Sequence, residues 1–175
     1  MTNRNNATNP GRRAFLTSAA AVSAAAMIGT TAAVALQPDP VFAAIEAHKA
    51  AVAATSAAVG LHSALDEKLP IEKCRSSVTA WGEEIVATDD ARWIDAERAV
   101  MRSYHTQDDA ACELVTVRAT TLAGVLALLQ YATAADVDGM GWPTDLVSDD
   151  GKLTRSWHYF LAERVAATLA GMVQA

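Results

Sequence analysis

The sequence predicts an all-α protein, an antiparallel bundle of about four helices that follows a cleaved N-terminal signal. Three observations predict it. Apolar residues recur at helical spacing in successive segments, the segments begin at capping residues and end at breakers, and no alternating β-branched runs joined by hairpin turns appear. With 51% hydrophobic residues the 175-residue chain has ample material for a core, and packing helix on helix is the simple way to bury it.

The N-terminus is read as an export address. Residues 1 to 13 carry Arg4, Arg12 and Arg13 and no acidic residue, and residues 14 to 36 carry no charge before the small-x-small pattern Ala33-Val34-Ala35. That is the three-part plan of a secretory signal, removed near Ala35. The paired arginines with Phe15-Leu16 resemble a twin-arginine signal, which is an address and not an anchor. Gly11 and Thr17 depart from that pattern, where Ser or Thr and Lys are common. A general secretory signal and an uncleaved anchor are the alternatives, although so many Ala, Ser and Thr residues make a poor permanent span. The expected organisation is thus a twin-arginine-type signal peptide over 1–35 and a single helical domain over 36–175, located in the periplasm.

Removing residues 1–35 takes away three of the fourteen basic residues and none of the twenty acidic ones, so the net charge moves from −6 to −9. Such a surface repels phosphate backbones and anionic headgroups, which argues against nucleic acid as a partner. The 140 residues left are enough for one domain. Cys74 and Cys112 would lie in an oxidising compartment. A bridge between them would close a loop of about 39 residues, worth about 3–4 kcal/mol through the unfolded chain; small buried thiols in a helical core are the alternative.

Asp39-Pro40 opens the first helix, an acidic cap with proline at the first helical position. It runs over 39–66 with Val41, Phe42, Ile45, Val52, Val59 and Leu65 as apolar positions, and Pro70 ends the stretch. A less regular segment passes Cys74, Trp81 and Ile85. Asp89 and Asp90 offer caps for a second helix bearing Trp93, Val100, Met101 and Tyr104, which continues or restarts after Thr106 and reaches about Val115. Thr120 or Thr121 caps a third, Leu122 to Ala135. No charge occurs over 119–135, so that helix reads as a central element; it is short for a bilayer. The fourth, over 151–173, presents Leu153, Trp157, Phe160, Leu161, Val165, Leu169 and Met172 as one stripe.

Asp39-Pro40-Val41-Phe42-Ala43-Ala44-Ile45-Glu46-Ala47-His48-Lys49, the block from Thr120 to Leu129 with Tyr131, and Trp142-Pro143 together resemble a family of small alphaproteobacterial helical proteins with a similar export signal. These are packing and capping motifs. The resemblance implies no catalytic residue and no activity.

The residues offer few candidates for chemistry. There is no Gly-x-Ser-x-Gly elbow, no His-Glu-x-x-His and no phosphate loop, and the nearest approach to a dinucleotide fingerprint is Gly139-Met140-Gly141. Of the histidines His48, His62, His105 and His158, none lies in a Glu-x-x-His, so a di-iron carboxylate site is not indicated. His62 with Asp66, and His105 with Asp109, have the spacing that puts two ligands on one helix face. Surface ion pairing is the simpler reading of both. Asp136, Asp138, Asp145, Asp149 and Asp150 could wrap a calcium ion but do not follow the EF-hand order, and they serve more simply as turn residues, helix caps and solvated loop. Trp142-Pro143 and Trp157 either line an aromatic pocket or close the core. No catalytic, cofactor-binding or metal residue is therefore assigned and no cofactor is expected. The sequence reads as an exported, non-catalytic protein that binds an unidentified protein or small molecule, meets a translocase only during export and has no stable membrane span. A metal- or cofactor-binding bundle and a small enzyme of another type are the alternative readings.

Overall fold

Each of the first three helices starts where a side-chain oxygen is available to cap it. In the computed structural model, which describes residues 38–136, 141–148 and 151–174, these are α1 (Pro40–Asp66), α2 (Ala91–Thr116) and α3 (Leu122–Ala135). The caps are Asp39, Asp90 and Thr121, whose side chains accept the N–H groups of Val41, Arg92 and Gly124. A fourth helix, α4, spans Trp157–Gln174. The signal segment 1–35, with Arg12 and Arg13, lies outside the described residues, as do Asp138, Gly139, Met140, Asp149 and Asp150.

The architecture is the expected all-α bundle of four helices, running alternately up and down. Thr55 of α1 donates to the carbonyl of Ser103 and His62 bonds Glu97, so α1 and α2 run antiparallel. Asp39 meets Thr121 and His48 meets Tyr131, which sets α3 parallel to α1. Trp157 bonds the carbonyl of Ala111 and Arg164 that of Val115, so α4 follows the direction of α2. The core gathers at the α1 start and the α2 end: Val41 and Ile45, then Ala111, Leu114 and Val115, then Val125, Leu128 and Ala132 of α3, closed by Trp142, Trp157 and Leu161. The other halves of α1 and α2 extend beyond this core as a two-helix arm.

One carboxylate joins two helix starts. Asp39 is 4% exposed; its Oδ1 accepts the Val41 N–H at 3.1 Å, and its Oδ2 accepts the N–H groups of Thr120 and Thr121 and the Thr121 hydroxyl at 2.9, 2.8 and 2.8 Å. Free N–H groups and the positive dipole ends of both helices converge there, so an anion is the group that fits. Burial alone would raise its pKa; the bonds from the Thr121 hydroxyl and from the Val41, Thr120 and Thr121 amides outweigh it and hold the carboxyl below its ordinary value. Gly124 is required beside it, because a Cβ at that position would collide with the Asp39 carboxylate.

Several local expectations are corrected. Two small antiparallel hairpins are present: β1 (Ser77–Thr79) with β2 (Gly82–Glu84), and β3 (Leu146–Val147) with β4 (Thr154–Arg155). Strands of two or three residues are too short to show alternation. The first hairpin is fastened from α2 instead: Glu97 accepts the Val78 N–H, Arg98 pairs with Glu83, and the Trp93 indole donates to the Ser76 carbonyl. The second is closed by Gly151 in the left-handed region (φ 71°), and it delays the start of α4 to Trp157. Helix α2 continues past Thr106, as one of the two expected courses has it, the threonine hydroxyl donating to the carbonyl of Arg102 one turn back. Helix α3 is not central, since Leu122, Leu126 and Leu129 are 66, 56 and 40% exposed. Among the described residues no helix is long and apolar enough to cross a membrane.

No disulfide joins Cys74 and Cys112. Cys74 stands beside the α2 start, where the Asp90 N–H bonds the Lys73 carbonyl. Cys112 lies 22 residues further along the helix, a rise of about 33 Å, far beyond the reach of an S–S bond.

Candidate functional site

At the core end of the bundle an open groove of about 550 Å³ runs between α1 and α3, lined by Phe42, Ile45 and Lys49 from one side and Ala127, Tyr131 and Ala134 from the other. The helical spacing produces it: Phe42, Ile45 and Lys49 recur at three and four residues on α1, and Ala127, Tyr131 and Ala134 do so on α3. Small alanines on α3 leave space where larger side chains would fill it. At its edge Lys49 pairs with Glu46 at 2.8 Å, its ammonium 5.5 Å from the Tyr131 ring.

Tyr131 connects this groove to the interior. Its hydroxyl lies 2.7 Å from Nδ1 of His48, which is 1% exposed. The histidine ring stacks on Trp142 at 4.8 Å, and Trp142 stacks on Trp157 at 3.9 Å with the rings 10° from parallel. Both indoles donate to helix carbonyls, Trp142 to Ala132 and Trp157 to Ala111. The two tryptophans are therefore core, closing the bundle end, and not the walls of an aromatic pocket. Burial lowers the pKa of His48, which favours neutral imidazole, and burial with the nearby Glu46 charge raises that of the Tyr131 phenol. His48 Nε2 is buried with no hydrogen-bond partner, the polar cost of placing a histidine in the α1 core stripe Val41, Ile45, His48, Ala51, Thr55.

The other histidines are dispersed. His62 does not look along α1 to Asp66; its Nε2 lies 2.6 Å from Glu97 Oε1 across the helix pair, and its ring rests against Trp93 at 4.3 Å. Glu97 is thereby the shared anchor of α1, α2 and the first hairpin, a role its exposed-looking helical position did not announce. His105 and Asp109 are both exposed on α2. His158 lies 3.3 Å from Asp136, whose other oxygen accepts the Gly141 N–H, so Asp136 acts as a turn residue; Asp145 is exposed. Among the described residues no three His, Cys, Asp or Glu side chains converge as metal ligands.

Beside the groove the outer side of α3 carries Leu122, Leu126, Leu129 and Thr133, all exposed, on a helix with no charged side chain from 119 to 135. Isolated exposed leucines are ordinary. A row of them on an uncharged helix next to an apolar groove is a surface suited to contact. No protein family, characterised protein or solved structure matches the chain.

Proposed function

We propose that the chain is an exported, non-catalytic helical protein of the periplasm that acts by docking a partner on the apolar face formed by α3 and the α1–α3 groove. The observation that carries the reading is the uncharged outer side of α3, which offers leucine surface where a water-facing helix ordinarily carries charges. Placement in the periplasm is supported by the paired arginines ahead of an uncharged, alanine-rich run and by the small residues at Ala33-Val34-Ala35. The acidic balance of the remaining chain disfavours nucleic acid as the partner.

Replacing Arg12 and Arg13 together by Lys is expected to abolish periplasmic accumulation, read by fractionation; unchanged export would end the twin-arginine part of the reading. A photo-crosslinking residue at position 126 is expected to give a defined adduct in cells, whereas the same residue at position 173, exposed on α4, gives none. Adducts at neither position would overturn the docking face.

A further inference from the structure

Resting on that docking reading, we infer that the partner is a second copy of this chain, packed α3 against α3 about a two-fold axis. Leu122, Leu126, Leu129 and Thr133 are spaced four, three and four residues apart, the order of the seam positions of a coiled coil, where each side chain enters a hole on the facing helix. A two-fold contact needs a patch complementary to itself, and an uncharged row of leucines alternating with small residues such as Ala123, Ala127 and Ala134 is one.

Charge permits the same occupant. The chain is acidic, with twenty carboxylates against fourteen basic side chains, so most surfaces of two copies repel. The α3 face holds no charge to repel, and none to attract a basic or an acidic stranger. What fits it is another uncharged apolar face. At its rim Glu46 and Lys49, paired within one copy, can exchange partners across the axis without leaving a charge unmatched. The size sets the strength: α3 is about 21 Å long, and with the adjoining α1 surface the face is about 20 Å wide, two helix diameters. Two such faces come to about 840 Å² of footprint, the class of weak, reversible contacts.

Sedimentation velocity of the purified protein is expected to give the mass of two chains at about 100 μM and dissociation on dilution towards the low micromolar range. The double variant Leu126→Lys, Leu129→Lys should weaken association by at least about 100-fold, because it places lysines of both copies in the seam. Both leucines are exposed, so its circular dichroism, and its Tm at a dilution where the parent is also monomeric, should stay those of the parent, which separates lost association from lost folding. Val173→Lys, at a side chain exposed on α4, should dimerise as the parent does. A parent monomeric at the highest concentration, or a double variant that still dimerises, overturns the second copy. If the parent is monomeric and the adduct at position 126 contains a different protein, the docking face stands and the second copy falls. If the parent is monomeric and no adduct forms, both fall; an adduct of twice the chain mass supports both.

Discussion

Asp39→Ala is expected to lower the unfolding free energy by about 3–5 kcal/mol, the range for removing one member of a buried, hydrogen-bonded set and stranding the rest. Four donors lose their acceptor: the amides of Val41, Thr120 and Thr121 and the Thr121 hydroxyl. Two of these sites begin helices, so the loss is felt on α1 and α3 together. For a domain of this size that corresponds to about 10–15 °C in Tm. Asp39→Asn keeps the shape and one acceptor oxygen but turns an NH₂ group towards a donor, and should cost less. Gly124→Ala should approach the alanine result from the other side, since its Cβ takes the space of the carboxylate. The sign of the pH dependence follows from a folded pKa below the ordinary 3.8. The stabilisation from ionised Asp39 is complete above about 3.8 and is lost as pH falls through the lowered value. The alanine variant should lack that part of the acid sensitivity. Thermal melts at neutral pH and near pH 3 check both, and an Asp39→Ala melt within about 2 °C of the parent would contradict the clamp.

Trp157→Ala is expected to cost about 3–5 kcal/mol, as for other large aromatic side chains removed from a core. Trp157 is fully buried, stacks on Trp142 and bonds Ala111, so it joins α4, α2 and the loop after α3. Truncation removes one of the two rings stacked on Trp142, leaving only His48, and opens a void the size of an indole. Trp157→Phe should retain most of the packing and cost about 1–2 kcal/mol, chiefly the lost hydrogen bond and part of the stack. Near-ultraviolet circular dichroism offers a second readout, because two tryptophans at 3.9 Å and nearly parallel couple their transitions. That signal should vanish in both Trp157 variants while helical content persists in the phenylalanine one.

The helices were legible because their signals are local. Asp39-Pro40, Asp90 and Thr121 mark starts within one turn of the helices they cap, and Pro70 marks a stop. The first hairpin was not, because what holds Ser77–Glu84 in place is Glu97 and Arg98, which belong to another element. The lack of charge in α3 suggests a central helix, and its open side is the informative discrepancy: an uncharged run does not tell which of its faces the rest of the chain covers. His48 sat visibly on the α1 core stripe, yet its polarity concealed a buried role that depends on Tyr131 and Trp142 more than eighty residues away. The groove depends on how α1 and α3 pack together, which neither helix encodes alone.

The Asp39 clamp also bears on the order in which the chain assembles. Three of its four hydrogen bonds come from residues 81 or 82 positions downstream. At about 5–20 residues per second, synthesis leaves the start of α1 incompletely held for about 4–16 s after it emerges. The α1–α2 hairpin, with its shorter loop, has time to close within that interval. The start of α1 is thus secured from a part of the chain made much later, so truncation before Thr121 would leave that helix exposed at its own start.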